Sequence, residues 1–321
     1  NQAGIPGLSL VLVDGDSVYL KNWGYADLKD RIPVTSKTLF ELGSTSKAFT
    51  ALAILKMQEE GLLRLDDHVS KYIPWFRSMY KGKEVQILLK NLLHHTSGIP
   101  METISRIPQG DTDDMLERTV RENNNLELKE MPGEAFEYAT INYDILGLII
   151  EKVSKLSFEE YLHKNIFQKL GLESTSVGSP ANINLAKGYK ISFFSPRAYQ
   201  APRFRGNNPA GYVISNGEDM AKWLRYQLSL DANCYDTIIK RSHIPDFTIT
   251  PNGQSLYASG WFVAPYGNPY VYHGGLNPNF SSFVGFLPDK KIGFAVLANS
   301  NSDYTAYIGS VVLSLLNSVA N

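Results

Sequence analysis

A single cysteine, Cys234, stands in 321 residues, so no internal disulfide can form. That fits a cytosolic chain, and equally an exported one whose core is large enough to fold without staples. The six histidines are scattered, and neither an HExxH pattern nor a Cys/His zinc spacing occurs, so no metal and no cofactor is expected. Neither sign of charge is in excess: 31 Lys and Arg against 32 Asp and Glu leave a formal net charge of −1. That balance gives no reason to expect nucleic acid or an anionic membrane as a partner. The longest late apolar run, 308–320, falls short of the ~20 residues of a membrane span. It carries Ser310, Ser314, Asn317 and Ser318 and predicts an amphipathic helix. Repeats and low-complexity tracts are missing too. The chain opens at Asn1 with no methionine and no basic-plus-apolar leader, the expectation for a processed or trimmed chain whose leader or anchor lies outside it.

What is present is an ordinary globular composition, 43% hydrophobic and 20% charged, in a length that suggests two lobes. "GLSLVLVDGDSVYLKNWGYAD" alternates apolar and polar residues on both sides of Asp14-Gly15, a hairpin signal. The other end holds three more strand patterns, "ASGWFVAPYGNPYVYHGG", "FSSFVGFLP" and "KIGFAVLANS", with turns near Gly267-Asn268-Pro269 and Pro288-Asp289-Lys290. A last helix is expected from about Tyr304. Between the ends, helical patterns run over 48–60, 112–122, 141–154, 157–169 and 217–230. Residues 180–210, rich in Pro, Asn and aromatics, read as a long ordered loop or lid. The expected fold is α/β (α+β): an antiparallel sheet built from both chain ends and flanked by helices, with an inserted all-helical lobe. Residues 1–40 and 245–321 would form the sheet lobe and 41–244 the mostly helical one, with a site in the cleft between them.

Three stretches carry chemistry. The first is Ser44-Thr45-Ser46-Lys47, where a hydroxyl and an amine stand one turn apart at the start of a helix. The bland reading is an N-cap, since Ser and Thr oxygens accept free backbone N–H groups. The sharper reading is a nucleophile and its base, which requires that an amine with an ordinary pKa of about 10.4 be held neutral by burial and nearby positive charge. The second stretch is Tyr138-Ala139-Thr140, whose phenol can relay protons between Ser44, Lys47 and a leaving group. The third is His273-Gly274-Gly275, at the end of a predicted strand. There the backbone N–H groups of Ser44 and Leu276 can form an oxyanion hole, and Gly274 and Gly275 let a substrate backbone approach closely. Each motif alone occurs often by chance; the three in this order, each at a junction of elements, favour catalysis.

Taken together, these motifs resemble the serine β-lactamase and penicillin-binding-protein superfamily, in particular its class C, D-aminopeptidase and esterase branch. The resemblance runs over nearly the whole chain and includes "LLHHTSGIP" (92–100), "PGEAFEYATINYDILGLIIEKV" (132–153), "LGLEST" (170–175) and "PAGYVISNGEDMAKW" (209–223). It implies a β-lactamase-like sheet domain facing a helical domain. It implies that Ser44 is acylated, that Lys47 and Tyr138 share proton transfer, and that His273-Gly274-Gly275 lies on the edge strand. His94 and His95 sit in a loop signature of the superfamily and read as loop packing and hydrogen bonding.

Two departures narrow the expectation. The second motif of the family usually reads Tyr-x-Asn, and Thr140 replaces the asparagine here. The third usually begins with a lysine that binds the free carboxylate of a β-lactam or a terminal D-Ala, and His273 replaces it. A neutral histidine attracts such a carboxylate weakly. "YATINYD" followed by "HGGLN" resembles the prodrug-activating peptidases of non-ribosomal peptide pathways, which remove an N-acyl-D-asparagine cap. The expected function is therefore an extracytoplasmic serine peptidase acting through an acyl-enzyme on an acylated D-amino-acid amide, with antibiotic-type prodrug activation as its setting. The substrate would be a small molecule or peptide, and the full-length protein would carry a membrane anchor outside this chain. Thr140 and Asn277, with Asn208 a weaker third, are the residues expected to read the D-Asn amide, beside His273, Gly274 and Gly275 in substrate binding. The alternatives are an esterase or D-aminopeptidase of the same fold, then a β-lactamase or DD-carboxypeptidase, and outside enzymes a sensor that acylates once and stops.

Overall fold

The computed structural model describes residues 4–178, 184–192, 195–245, 256–264 and 269–318. Eight strands form one sheet in the order Leu256–Tyr257, Phe262–Ala264, Tyr270–Leu276, Ser281–Leu287, Ile292–Ala298, Gly7–Asp14, Ser17–Asp27 and Ile32–Pro33. Every neighbouring pair is antiparallel. The two chain ends meet where Gly7–Asp14 pairs with Ile292–Ala298, Leu8 opposite Ala298 and Asp14 opposite Ile292. The expected hairpin is there, with Asp14 opposite Ser17 and Gly15 at φ +52° in the turn. The turn proposed at 267–269 lies outside the described residues except for Pro269.

Alternation along the strands sorts the sheet's two faces. Val11, Val13, Val284, Phe286, Ala295 and Leu297 point into the large core. Phe283, Leu287, Phe294 and Val296, with Leu8, Leu10 and Leu12, point the other way and are covered by Leu313 and its neighbours on the helix Tyr304–Ser318. On the core side the helix Gly217–Gln227 packs on Gly7–Asp14 and Ile292–Ala298, its first turn capped by the Asn216 side chain, which accepts from the N–H of Asp219 at 2.9 Å. Two helices lie deeper. Lys47–Glu59 is buried continuously from Lys47 to Met57, and Ile141–Ser154 from Ile141 to Ile150. A helix with no polar face can only sit inside, which is how each brings its N-terminal end to the middle of the molecule.

The segment 180–210, read above as a loop, holds structure of its own. Tyr189–Ser192 and Ser195–Ala198 pair as antiparallel strands, and Asn208–Gly211 forms a short helix. Strands of four residues are too short to display alternation, and prolines masked them further. The pattern over 157–169 is also divided: Phe158–Leu162 is an α-helix opened by a Ser157/Glu160 capping box, and it passes into a π-type turn at His163–Phe167.

Candidate active site

Ser44 sits in a 3-10 turn, Gly43–Ser46, immediately ahead of the helix Lys47–Glu59. No side chain caps either element, so the N-cap reading of Ser44 does not hold. Its half-buried hydroxyl instead accepts a hydrogen bond from Lys47 Nζ at 3.1 Å. The turn is pinned from several sides. Thr45 Oγ1 and Ser282 Oγ both donate to the Leu42 carbonyl, at 2.8 and 2.6 Å, and Ser46 Oγ accepts from the N–H of Val213 at 2.9 Å. Gly43 has φ +55°, and a Cβ there would lie 2.5 Å from the Leu276 nitrogen.

Lys47 is fully buried. Besides Ser44, its Nζ donates to the Ala210 carbonyl at 3.0 Å. It also lies 5.1 Å from the ring centroid of Tyr138 and 5.7 Å from that of Tyr143, within the range of a cation–π contact when charged. Tyr138 is half-buried just before the helix Ile141–Ser154, stacked on Phe262 with ring centroids 6.2 Å apart. One amine thus joins the hydroxyl of the first motif to the ring of the second.

The third motif closes the arrangement through its backbone. The N–H of Asn277 donates to the Phe280 carbonyl at 2.9 Å across the strand pair. By alternation the N–H of Leu276 faces the opposite side, where the turn carrying Ser44 packs. The N–H of Ser44 belongs to the first turn of its own 3-10 segment and has no partner within it. Gly275 serves this packing rather than a ligand: a Cβ on it would come within 1.9 Å of the Leu42 carbonyl oxygen. At Gly274 a Cβ would make an ordinary van der Waals contact with the Phe283 ring, at 3.8 Å, so that position is not crowded.

His273 is buried. Its Nδ1 lies 2.7 Å from its neighbour's carbonyl, Gly274 O, and must donate there, so Nε2, 3.1 Å from Tyr257 Oη, is the acceptor. Burial first, then the charge of Lys47, pull its pKa down to about 3, against a smaller raising effect of the bond to Gly274. Burial likewise holds the Asp144 carboxyl well above the usual carboxylate range, opposed by Lys47, and raises Glu41 against the Asn277 hydrogen bond.

The expected substrate-reading amides are engaged elsewhere. Asn277 Nδ2 donates to Glu41 Oε2 at 2.7 Å and to the Gly211 carbonyl at 3.0 Å, and Asn208 Nδ2 donates to Glu159 Oε1 at 2.7 Å. Asn208 lines a cavity of about 720 Å³ with Glu41, Tyr212 and the segment 198–205. That region includes Tyr199 and Phe204, two aromatics of the stretch read above as a loop. Thr140 is buried at the helix start, and its hydroxyl does not cap the helix.

Sequence reasoning missed Tyr143, Tyr257 and the Ala210 carbonyl. Tyr143 lies within the helix Ile141–Ser154, and no spacing from Tyr138, which stands ahead of that helix, points it to Lys47. Tyr257 and Ala210 gave no local signal.

Comparison with known proteins gives the chain's family and fold. The Beta-lactamase family profile matches residues 1–311. Protein flp of Staphylococcus aureus (strain N315) is 37% identical over 305 residues, 94% of this chain and 61% of that protein. The chain thus spans about three fifths of that relative's length. The putative penicillin-binding protein PbpX of Bacillus subtilis (strain 168) is 31% identical over 325 residues, 98% of this chain and 76% of the other. Among solved structures, an octameric penicillin-binding protein homologue from Pyrococcus abyssi superposes with TM-score 0.82 at 31% identity, over 97% of this chain and 73% of that one. A class C β-lactamase superposes with TM-score 0.81 over 97% of this chain and 91% of the other, and at 23% identity that likeness speaks for the fold alone.

Proposed function

The chain belongs to the β-lactamase and penicillin-binding-protein superfamily, and we propose that it is a serine hydrolase working through an acyl-enzyme on an internal amide or an ester. The observation that carries the reading is the 3.1 Å contact between Ser44 Oγ and the fully buried amine of Lys47. In its neutral form that amine takes the hydroxyl proton as Ser44 Oγ attacks the carbonyl carbon. The oxyanion that forms lies against the N–H groups of Ser44 and Leu276, fixed in advance by the packing of Gly43 on the strand. Tyr138 passes the proton to the departing nitrogen or oxygen as the carbonyl re-forms and that bond breaks. Water then attacks the acyl-enzyme by the same groups in reverse, releasing the acid and restoring the Ser44 hydroxyl.

The absence of a cation at His273 supports a substrate with no free carboxylate beside the bond that breaks. With its pKa near 3, this imidazole is uncharged from about pH 5 to 8 and begins to protonate only as pH falls toward 3. The ratio of kcat/KM for a neutral ester to that for the same ester bearing a carboxylate is therefore expected to be flat over that window. A fall in the ratio as pH drops from 8 to 6 would contradict an uncharged His273.

Within that class, an N-acyl-D-asparagine amide remains the finer candidate. Thr140 carries it, as the polar side chain two residues from Tyr138, because Asn277 and Asn208 donate their amide hydrogens inside the protein. The test is a single panel: an N-acyl-D-asparagine amide, its L-isomer, a short-chain ester and a cephalosporin. The D-amide and the ester should turn over, the L-isomer at least tenfold more slowly, on the order of one lost oriented contact, and the cephalosporin slowest. A cephalosporin turned over fastest would contradict the neutral-substrate reading. One equivalent of product followed by arrest would identify a sensor instead.

A further inference from the structure

We propose that His95 is a positioning residue that sets the place of the Tyr138 phenol; the inference rests on the proton-relay role given to Tyr138 above. His95 holds the segment on both sides of that tyrosine. Its carbonyl accepts from the N–H of Glu137 at 2.8 Å. Its Nδ1 accepts from the N–H of Ala139 at 3.3 Å and from Asn142 Nδ2 at 2.9 Å. Its ring lies under that of Tyr138, centroids 4.2 Å apart and planes tilted by 36°. Asn142 is fixed in turn, its Oδ1 accepting from Ser97 Oγ at 2.8 Å. Residues 137, 139 and 142 are thus tied to one histidine, and residue 138 rests on its face.

Two accepted hydrogen bonds leave Nδ1 bare, so the ring proton is on Nε2. That nitrogen is buried and has no hydrogen-bond partner among the described residues; the Tyr257 ring packs edge-to-face on the imidazole, ring centroids 4.6 Å apart. Burial, reinforced by Lys47, His273 and His94, keeps the imidazole neutral. It therefore moves no proton in the working range. The backbone at His95 is left-handed, φ +55°, a conformation that a non-glycine residue holds only where its surroundings demand it. An unpaired buried donor and a left-handed backbone are both tolerated at the residue that ties down the segment on both sides of Tyr138.

The experiment is a double-mutant cycle on the intact chain, read as kcat, KM and single-turnover acylation with a chromogenic short-chain ester. His95→Leu removes the acceptor at similar bulk and is expected to slow acylation about thirtyfold or more, within the range of a misplaced proton relay, with KM nearly unchanged. In a Tyr138→Phe background the same substitution should cost less than about threefold, because the group it positions is already gone. His95→Asn keeps an acceptor in a side chain suited to the left-handed backbone and should recover most of the rate. If His95→Leu does not fold, the cycle is run with His95→Asn, whose smaller loss should likewise vanish beside Tyr138→Phe. Acylation by folded His95→Leu at the wild-type rate would overturn the proposal. So would an equal loss in both backgrounds, which marks general packing. Tyr138→Phe acylating at the wild-type rate would overturn the relay itself, and this inference with it.

Discussion

Ser44→Ala is expected to lower kcat by about 10⁴-fold or more while leaving a folded protein, because a nucleophile removed from an interdependent set takes nearly the whole chemical rate with it. The structural cost should be small. The Ser44 hydroxyl caps no helix, and its one hydrogen bond among the described residues comes from Lys47. Losing a half-buried hydroxyl of this kind costs on the order of 1 kcal/mol. Thermal unfolding of the variant should therefore stay cooperative and near the wild-type midpoint. Residual turnover within a hundredfold of wild type would move the nucleophile elsewhere.

The second large effect is expected for Lys47→Met. Methionine keeps the length and apolar stem of a side chain packed inside the molecule, but it can neither accept the Ser44 proton nor hold the Ala210 carbonyl. Turnover should fall by about 10³-fold or more. Two acceptors lose their donor, at about 1 kcal/mol each, while a buried amine is exchanged for an apolar group, so stability should change by no more than about 2 kcal/mol. Raising the pH should not restore the rate, since Lys47 is the group whose Nζ contacts the Ser44 hydroxyl. Recovery at high pH to wild-type turnover would show that Lys47 only lowers the energy of a serine that ionises by itself.

Much of this was legible in the chain, for reasons particular to each part. Gly7–Asp14, Ser17–Asp27 and Ile292–Ala298 are long enough to show alternation, and Ile141–Ser154 stands as a helix over the span its apolar pattern gives. Ser44 and Lys47 are readable as a pair because three residues on a helix place two side chains together. What escaped depends on distant neighbours. Asn277 looked free in "HGGLN", yet its partner Glu41 lies 236 positions away in the chain. The Ala210 carbonyl that holds Lys47 is a backbone atom, and no residue type announces it. Gly275 appeared to make room for a ligand, whereas the atom it makes room for is the carbonyl oxygen of Leu42. His95 was read as loop packing and hydrogen bonding, and which residues it holds, 137, 139 and 142, becomes visible only when the loop and the helix start are seen side by side.

The central claim is that Ser44 takes the acyl group, and covalent labelling tests it most directly. The wild-type chain treated with a fluorophosphonate, then digested and mapped by mass spectrometry, should carry one adduct, on Ser44, and Ser44→Ala should carry none. An adduct on another residue, or continued ester turnover with Ser44 unlabelled, would contradict the account.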